Sequence, residues 1–192
     1  MATFSLGEEL SSIRVRDERT PRSTARASRA GGGGYASAVR LVGKQVVLRT
    51  GEPEDVTRLA SIANEPEVAA WWGHTDEVEV AARFVNNETS FIVAHVGELV
   101  GAIQYDEEDN PMYRRAGIDI FLTTSRHGQG LATDSIRTLA WYLFEERGHH
   151  LLTIDPAVDN ERAIRAYEAV GFGWASCART NGALMARGMT AC

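Results

Sequence analysis

Ser125-Arg126-His127-Gly128-Gln129-Gly130-Leu131-Ala132-Thr133 is followed about thirty residues later by Asn160-Glu161-Arg162-Ala163-Ile164-Arg165-Ala166-Tyr167-Glu168-Ala169-Val170-Gly171-Phe172. These two stretches decide how the rest of the chain is read. The first comes directly after Ala116-Gly117-Ile118-Asp119-Ile120-Phe121-Leu122, an apolar run with strand character. It opens a helix whose apolar face is Ala132, Ile136, Leu139, Ala140 and Leu143, ending near Gly148. A strand, a glycine-rich turn and a helix start together present free backbone N–H groups and the positive helix end to an anion, so residues 126–132 form a candidate pyrophosphate cradle. It is not a Walker loop, which needs Lys followed by Ser or Thr, and it lacks the three-glycine dinucleotide pattern. Taken alone, a Gly-x-Gly turn is equally compatible with a plain helix start. In the second stretch Asn160 caps a helix, Ile164, Tyr167 and Val170 share one stripe, and Gly171 stops it.

Working outward, Val46-Val47-Leu48 reads as a strand, and Pro53 with Glu54 and Asp55 starts a helix carrying Val56, Leu59, Ala60 and Ala63. Pro66 starts a short helical piece that runs into Trp71-Trp72-Gly73, and residues 78–85 form a further amphipathic segment. Residues 91–96 and 99–105 read as a hairpin about a Gly97-Glu98 loop, followed by an acidic turn from Asp106 to Asp109. Leu151–Ile154 is a short buried strand. Trp174 to Arg179 and Ala183 to Met185, turned by Asn181-Gly182, close the chain as a strand pair.

At 192 residues, with 44% hydrophobic and 24% charged side chains, the chain suits one domain with a real core. No apolar run is long enough to span a membrane. Cys177 and Cys192 are the only cysteines, which excludes a disulfide framework and a multi-cysteine zinc site and favours a reducing, cytoplasmic setting. No metal is expected, since His74 and His95 have no partner at ligand spacing. The net charge of −6 is unevenly divided: residues 1–40 hold seven arginines against four acids, the remainder thirteen basic against twenty-two acidic side chains. Such an acidic body argues against nucleic acid and for a cationic small-molecule partner. Residues 1–38, rich in Ser, Arg and Ala and ending in four glycines, are expected to be a disordered tail, leaving 39–192 as the domain.

The two opening stretches, in this order and spacing, resemble the GNAT superfamily of acyl-CoA-dependent N-acetyltransferases. The resemblance implies a mixed, mostly antiparallel sheet flanked by helices (α+β), with acetyl-CoA as co-substrate entering where two central strands splay. Gly130 and Ala132 occupy the glycine and alanine positions of the superfamily's pyrophosphate loop. His127 stands where Arg or Gln is usual, with Arg126 beside it. The implied cofactor contacts are Ile120 and Leu122 on the strand, residues Arg126, His127, Gly128, Gln129, Gly130, Leu131, Ala132 and Thr133 on the loop and helix start, and Asn160, Ala163 and Tyr167 on the second helix. Trp71-Trp72-Gly73, Gly117-Ile118-Asp119 and Thr153-Ile154-Asp155-Pro156 look more narrowly like the aminoglycoside 6′-N-acetyltransferases and the related siderophore-type lysine acyltransferases. That likeness implies resistance chemistry, with Asp119 deprotonating the acceptor amine and Asp155 binding the cationic sugar. The superfamily implies that the Tyr167 hydroxyl protonates the departing thiolate.

On its own position, Asp119 is an even choice between a solvated outer-face carboxylate and a base, because alternation sets it opposite Ile118 and Ile120. A base is required, since an ammonium has no lone pair with which to attack a thioester. Of Trp71 and Trp72, one is expected buried and one partly exposed to stack on the acceptor. Gln104, Tyr105 and Asp106 are also expected acceptor contacts. The expected reaction is acetyl transfer to a primary amine of an aminoglycoside by direct attack in a ternary complex, by a monomer or homodimer. The alternatives are a siderophore-type lysine acyltransferase and a non-catalytic acyl-CoA-binding module on the same fold.

Overall fold

A computed structural model describes residues 14–17, 39–108, 114–174 and 184–187. Its strands are β1 (Arg14–Asp17), β2 (Val39–Val42), β3 (Val46–Arg49), β4 (Ser90–His95), β5 (Glu98–Glu108), β6 (Arg115–Leu122), β7 (Leu151–Ile154), β8 (Gly173–Trp174) and β9 (Leu184–Arg187). They form one sheet in the order β1-β2-β3-β4-β5-β6-β7-β9-β8. Every pairing is antiparallel except β6 with β7. The helices are α1 (Val56–Ala63), α2 (Pro66–Trp72), α3 (Glu77–Phe84), α4 (Leu131–Trp141) and α5 (Glu161–Glu168). This is the mixed, mostly antiparallel sheet with flanking helices expected from the sequence. No helix among the described residues is long and apolar enough to cross a membrane.

Side-chain alternation along the central strands divides the core in two. Phe91, Ile103, Ile118 and Leu122 point to one face and pack with Ile136, Leu139 and Leu143 of α4 and its extension. Ile92, Ala102 and Phe121 point to the other and pack with Leu59, Ile62, Val80 and Phe84 of α1 and α3. Each of these large side chains contributes about 1.5–3 kcal/mol by leaving water. The sheet is therefore held from both sides, and Asp119 emerges on the α1–α3 face beside Phe121.

Three expectations need correction. The hairpin loop is Val96-Gly97, not Gly97-Glu98, because both residues take positive φ (50° and 81°), the pair that matches strand twist in a two-residue turn. The acidic segment Asp106 to Glu108 is not a turn: it extends β5, laddered to Gly117, Ala116 and Arg115. Glu107 is tolerated there because Arg147 donates to it at 2.6 Å and it lies 3.0 Å from His149 Nε2. β2 was not read as a strand. Of the segment 1–38, the structure describes only Arg14–Asp17, as an edge strand on β2; the rest lies outside the described residues, as do Asp109, Cys177, Cys192 and most of the closing strand pair.

The start of α4 is anchored by a carboxylate. Asp134, in the first turn and only 4% exposed, accepts from the backbone N–H groups of Lys44 (3.2 Å), Gln45 (2.7 Å) and Val46 (3.1 Å). The β2–β3 turn is thereby bonded to a helix some ninety positions away. Asp134→Asn keeps the shape but offers one acceptor and turns an N–H₂ toward a donor. We expect it to lower unfolding stability by about 2–4 kcal/mol, the cost of charged hydrogen bonds lost and buried donors left unpaired. Urea denaturation checks this, and a loss under about 1 kcal/mol would contradict the anchoring role.

Candidate active site

β6 and β7 run side by side only from Arg115–Leu151 to Gly117–Thr153. β7 ends at Ile154, while β6 continues to Leu122 paired with β5 along its other edge. Beyond Gly117 the β7-facing edge of β6 thus has no strand partner among the described residues. A cleft of about 1190 Å³ opens in this gap, walled by residues from both faces of the sheet.

At one end of the cleft lies the glycine turn. Gly128 and Gly130 have φ of 75° and 77°, conformations that L side chains rarely adopt. Gly130 is the N-cap of α4 and supplies no side-chain cap, so the first-turn N–H groups of the helix point outward without an intrahelical acceptor. Gly128, Gly130, Leu131, Ala132 and Thr133 all line the cleft. An acid in the first turn would repel an anion here, but the Asp134 carboxylate is turned away and taken up by the β2–β3 turn. The two side chains at the turn are engaged locally: Arg126 Nη2 donates to Glu98 Oε2 at 2.6 Å, and His127 Nε2 donates to the Leu122 carbonyl at 3.0 Å. Both side chains still line the cleft, so its anion-facing surface combines the backbone N–H groups with Arg126 and His127 beside them. Gln129 is exposed and does not line the cleft; its Nε2 donates back to Ser125 O at 3.4 Å.

Ile120 and Leu122 line the wall beyond Asp119. Asp119 is exposed to the cleft, and Gln104, its cross-strand neighbour, donates to Oδ2 at 3.3 Å. Opposite stands α5. The Asn160 side chain accepts from the Ala163 N–H at 3.1 Å and caps the helix, while Ala163 and Tyr167, one turn apart, both face the cleft. Tyr167 is 8% exposed; burial, with the negative charge of Asp119 added, pushes its phenol up to about 12. The hydroxyl accordingly stays protonated at neutral pH. Asp155, directly after β7, lines the same cleft.

On the α2 side Trp71 is 47% exposed and Trp72 half-buried, edge-on to Phe121 at 4.7 Å between ring centres. Arg83 of α3 lies over the Trp72 ring at 6.0 Å and also lines the cleft. Two expected acceptor contacts are elsewhere. Tyr105 is 4% exposed and stacks on Phe91 in the α4-side core, because alternation puts it opposite Gln104. Asp106 is on the Gln104 face but beyond the cleft, lying over Gly117.

Two acids were not singled out in the sequence. Glu65, between α1 and α2, accepts from Thr123 Oγ1 (2.6 Å), Thr124 N (2.7 Å) and Thr124 Oγ1 (2.8 Å). Burial works against its charge, yet these donors and the Arg58 charge hold the carboxyl below its usual value. Glu67 reaches Arg162 of α5 at 3.4 Å, with His127 Nδ1 at 3.9 Å. Only Pro66, marking a helix start, hinted that this junction had a fixed geometry. Among the described residues no group of three His, Cys, Asp or Glu side chains is placed to hold a metal ion.

The chain is 30% identical over 149 residues to aminoglycoside N(6′)-acetyltransferase type 1 of Klebsiella pneumoniae, covering 66% of this chain and 73% of that protein. It is 28% identical over 135 residues to spermidine N(1)-acetyltransferase of Escherichia coli, covering 66% and 72%. Among solved structures, AAC(6′)-Ib in complex with paromomycin and acetyl-CoA superposes with a TM-score of 0.64 at 26% identity, over 75% of this chain and 94% of that one. The family model described as an acetyltransferase (GNAT) domain matches residues 45–173. That match takes in every residue lining the cleft, and the chain belongs to the GNAT acetyltransferase family.

Proposed function

We propose that this acetyltransferase moves an acetyl group from acetyl-CoA to a primary amine of an aminoglycoside, of the 6′-amino type, in the cytoplasm. The observation that carries the reading is one carboxylate and one protonated phenol, Asp119 and Tyr167, on the same cleft. The relatives whose names include an aminoglycoside support the acceptor class. Residues 39–192 form the working domain in this reading, and residues 1–38 are a tail without a part in the chemistry.

Two features of the cleft support acetyl-CoA as its co-substrate. Uncapped N–H groups at residues 130–133 suit the pyrophosphate, and the open β6 edge from Asp119 to Leu122 suits an amide-bearing arm. When bound, acetyl-CoA supplies an acetyl thioester open to direct attack by the amine. Asp119 Oδ takes the proton from the attacking nitrogen, directly or through a water. A backbone N–H on the open edge of β6 polarises the carbonyl. Tyr167 Oη holds the proton that the departing sulfur needs. Trp71 offers an aromatic face, and Asp155 a second carboxylate, to a cationic sugar.

A specific observation favours a second reading. Arg83 is a cation in the α2–α3 wall with no carboxylate partner among the described residues, and such a group suits an acceptor that carries an anionic group besides its amine. A siderophore-type lysine acyltransferase has that acceptor.

Thiol release from acetyl-CoA, measured with kanamycin or tobramycin beside N-hydroxylysine, separates the two. Turnover with the aminoglycosides is expected; turnover with N-hydroxylysine alone moves the assignment to the second reading. No thiol release with any amine, despite CoA binding, would leave a binding module. Asp119→Ala is expected to lower kcat about 100-fold or more while CoA affinity stays within threefold, the scale of general base catalysis. An unchanged kcat would transfer the role to Asp155 or to water. For Tyr167→Phe the same split is expected, and because burial and the Asp119 charge push the phenol up to about 12, any alkaline loss of activity below pH 10 should persist in that variant. Disappearance of that loss would contradict the buried, high-pKa phenol.

A further inference from the structure

We infer that Glu65 is a positioning residue that couples the cofactor cradle to the acceptor wall; this rests on the reading of residues 126–133 as the CoA cradle and of α2 as acceptor wall. Its carbonyl accepts the first amides of α2, from Val68 at 2.9 Å and Ala69 at 2.8 Å, so its backbone fixes where that helix begins. Its carboxylate takes three donors from Thr123 and Thr124, the two residues that carry the chain from β6 into the turn before Gly128. Thr123 is itself buried and bonded through its N–H to Val100 of β5, so the carboxylate grips a point fixed to the sheet.

α2 is only seven residues long, and Trp71 and Trp72 lie at its far end. A helix this short has little stability of its own and takes its position from its contacts. At its end Trp72 rests on Phe121, and at its start the helix hangs on Glu65. Glu67 adds links to Arg162 and His127, but these are exposed ion pairs, each worth little in water. Val68 packs the helix onto the α1–α3 core, and among the polar links the Glu65 bonds, charge-assisted and short, outweigh those of Glu67. Ordering the turn at residues 126–130 therefore orders the start of α2, and by linkage occupancy of one end of the cleft stabilises the other.

Hydrogen exchange of the full chain with and without CoA tests this without requiring turnover. In the wild type, CoA is expected to slow amide exchange both at residues 126–133 and at residues 68–72, the latter by about fivefold or more, the lower end of ordinary coupling. In Glu65→Gln, which keeps the size but replaces one acceptor oxygen by a donor, the slowing at 126–133 should remain and that at 68–72 should vanish. Thr124→Ala, which removes one of the three bonds, should fall between the two and serves if Glu65→Gln does not fold. Unchanged exchange in β4 and β5 without CoA separates coupling from general loosening. The inference is overturned if CoA protects only the cradle in the wild type, or protects both segments equally in the variants. No protection of residues 126–133 in the wild type would overturn the cradle reading first, and this inference with it.

Discussion

Everything at the active site follows from a parallel strand pair that stops too soon. β6 and β7 are joined over three registered pairs, and then β7 ends while β6 runs on for five more residues. Backbone polar groups along that free edge must meet water or a ligand. The rest of the sheet stays closed, held by eight registered pairs with β5 on the other side of β6 and by a two-layer core. The gap is thus an opening in an otherwise continuous sheet, and side chains from both layers reach it.

That arrangement explains how groups of opposite chemical character come to share one cleft. The α4 side supplies helix-start amides, kept free of competing charge because Asp134 spends its carboxylate on the β2–β3 turn. The α5 side supplies a phenol kept protonated by burial and by the nearby Asp119 charge. β6 itself supplies Asp119 on the face where alternation exposes it. The proposed base on β6 and the proposed acid on α5 thereby sit in different surroundings within one strand gap.

The sequence made the central features legible where a local motif and the family resemblance coincide. A Gly-x-Gly turn at a strand end, an Asn before an amphipathic stripe and a carboxylate in an apolar strand each have few meanings, and Gly128, Gly130, Asn160, Asp119 and Tyr167 all face the cleft. Reading failed where tertiary partners decide. Tyr105 is an expected acceptor contact, but alternation buries it against Phe91. The acidic run after it looked like a turn because nothing in the local sequence shows that Arg147 and His149, some forty residues later, neutralise Glu107. Asp134 and Glu65 carry no local sign of their roles because their donors lie 88 to 90 and 58 to 59 positions away. Long-range polar contacts of this kind carry no periodic signal.

The central claim is that the open edge of β6 and the start of α4 together hold CoA. Backbone amide chemical shifts recorded while CoA is titrated into the full chain test it directly. The account predicts saturable shifts concentrated at residues 119–122, 128–133 and 160–167, with β3 and β4 unmoved. Shifts centred elsewhere, or none at saturating CoA, would contradict it.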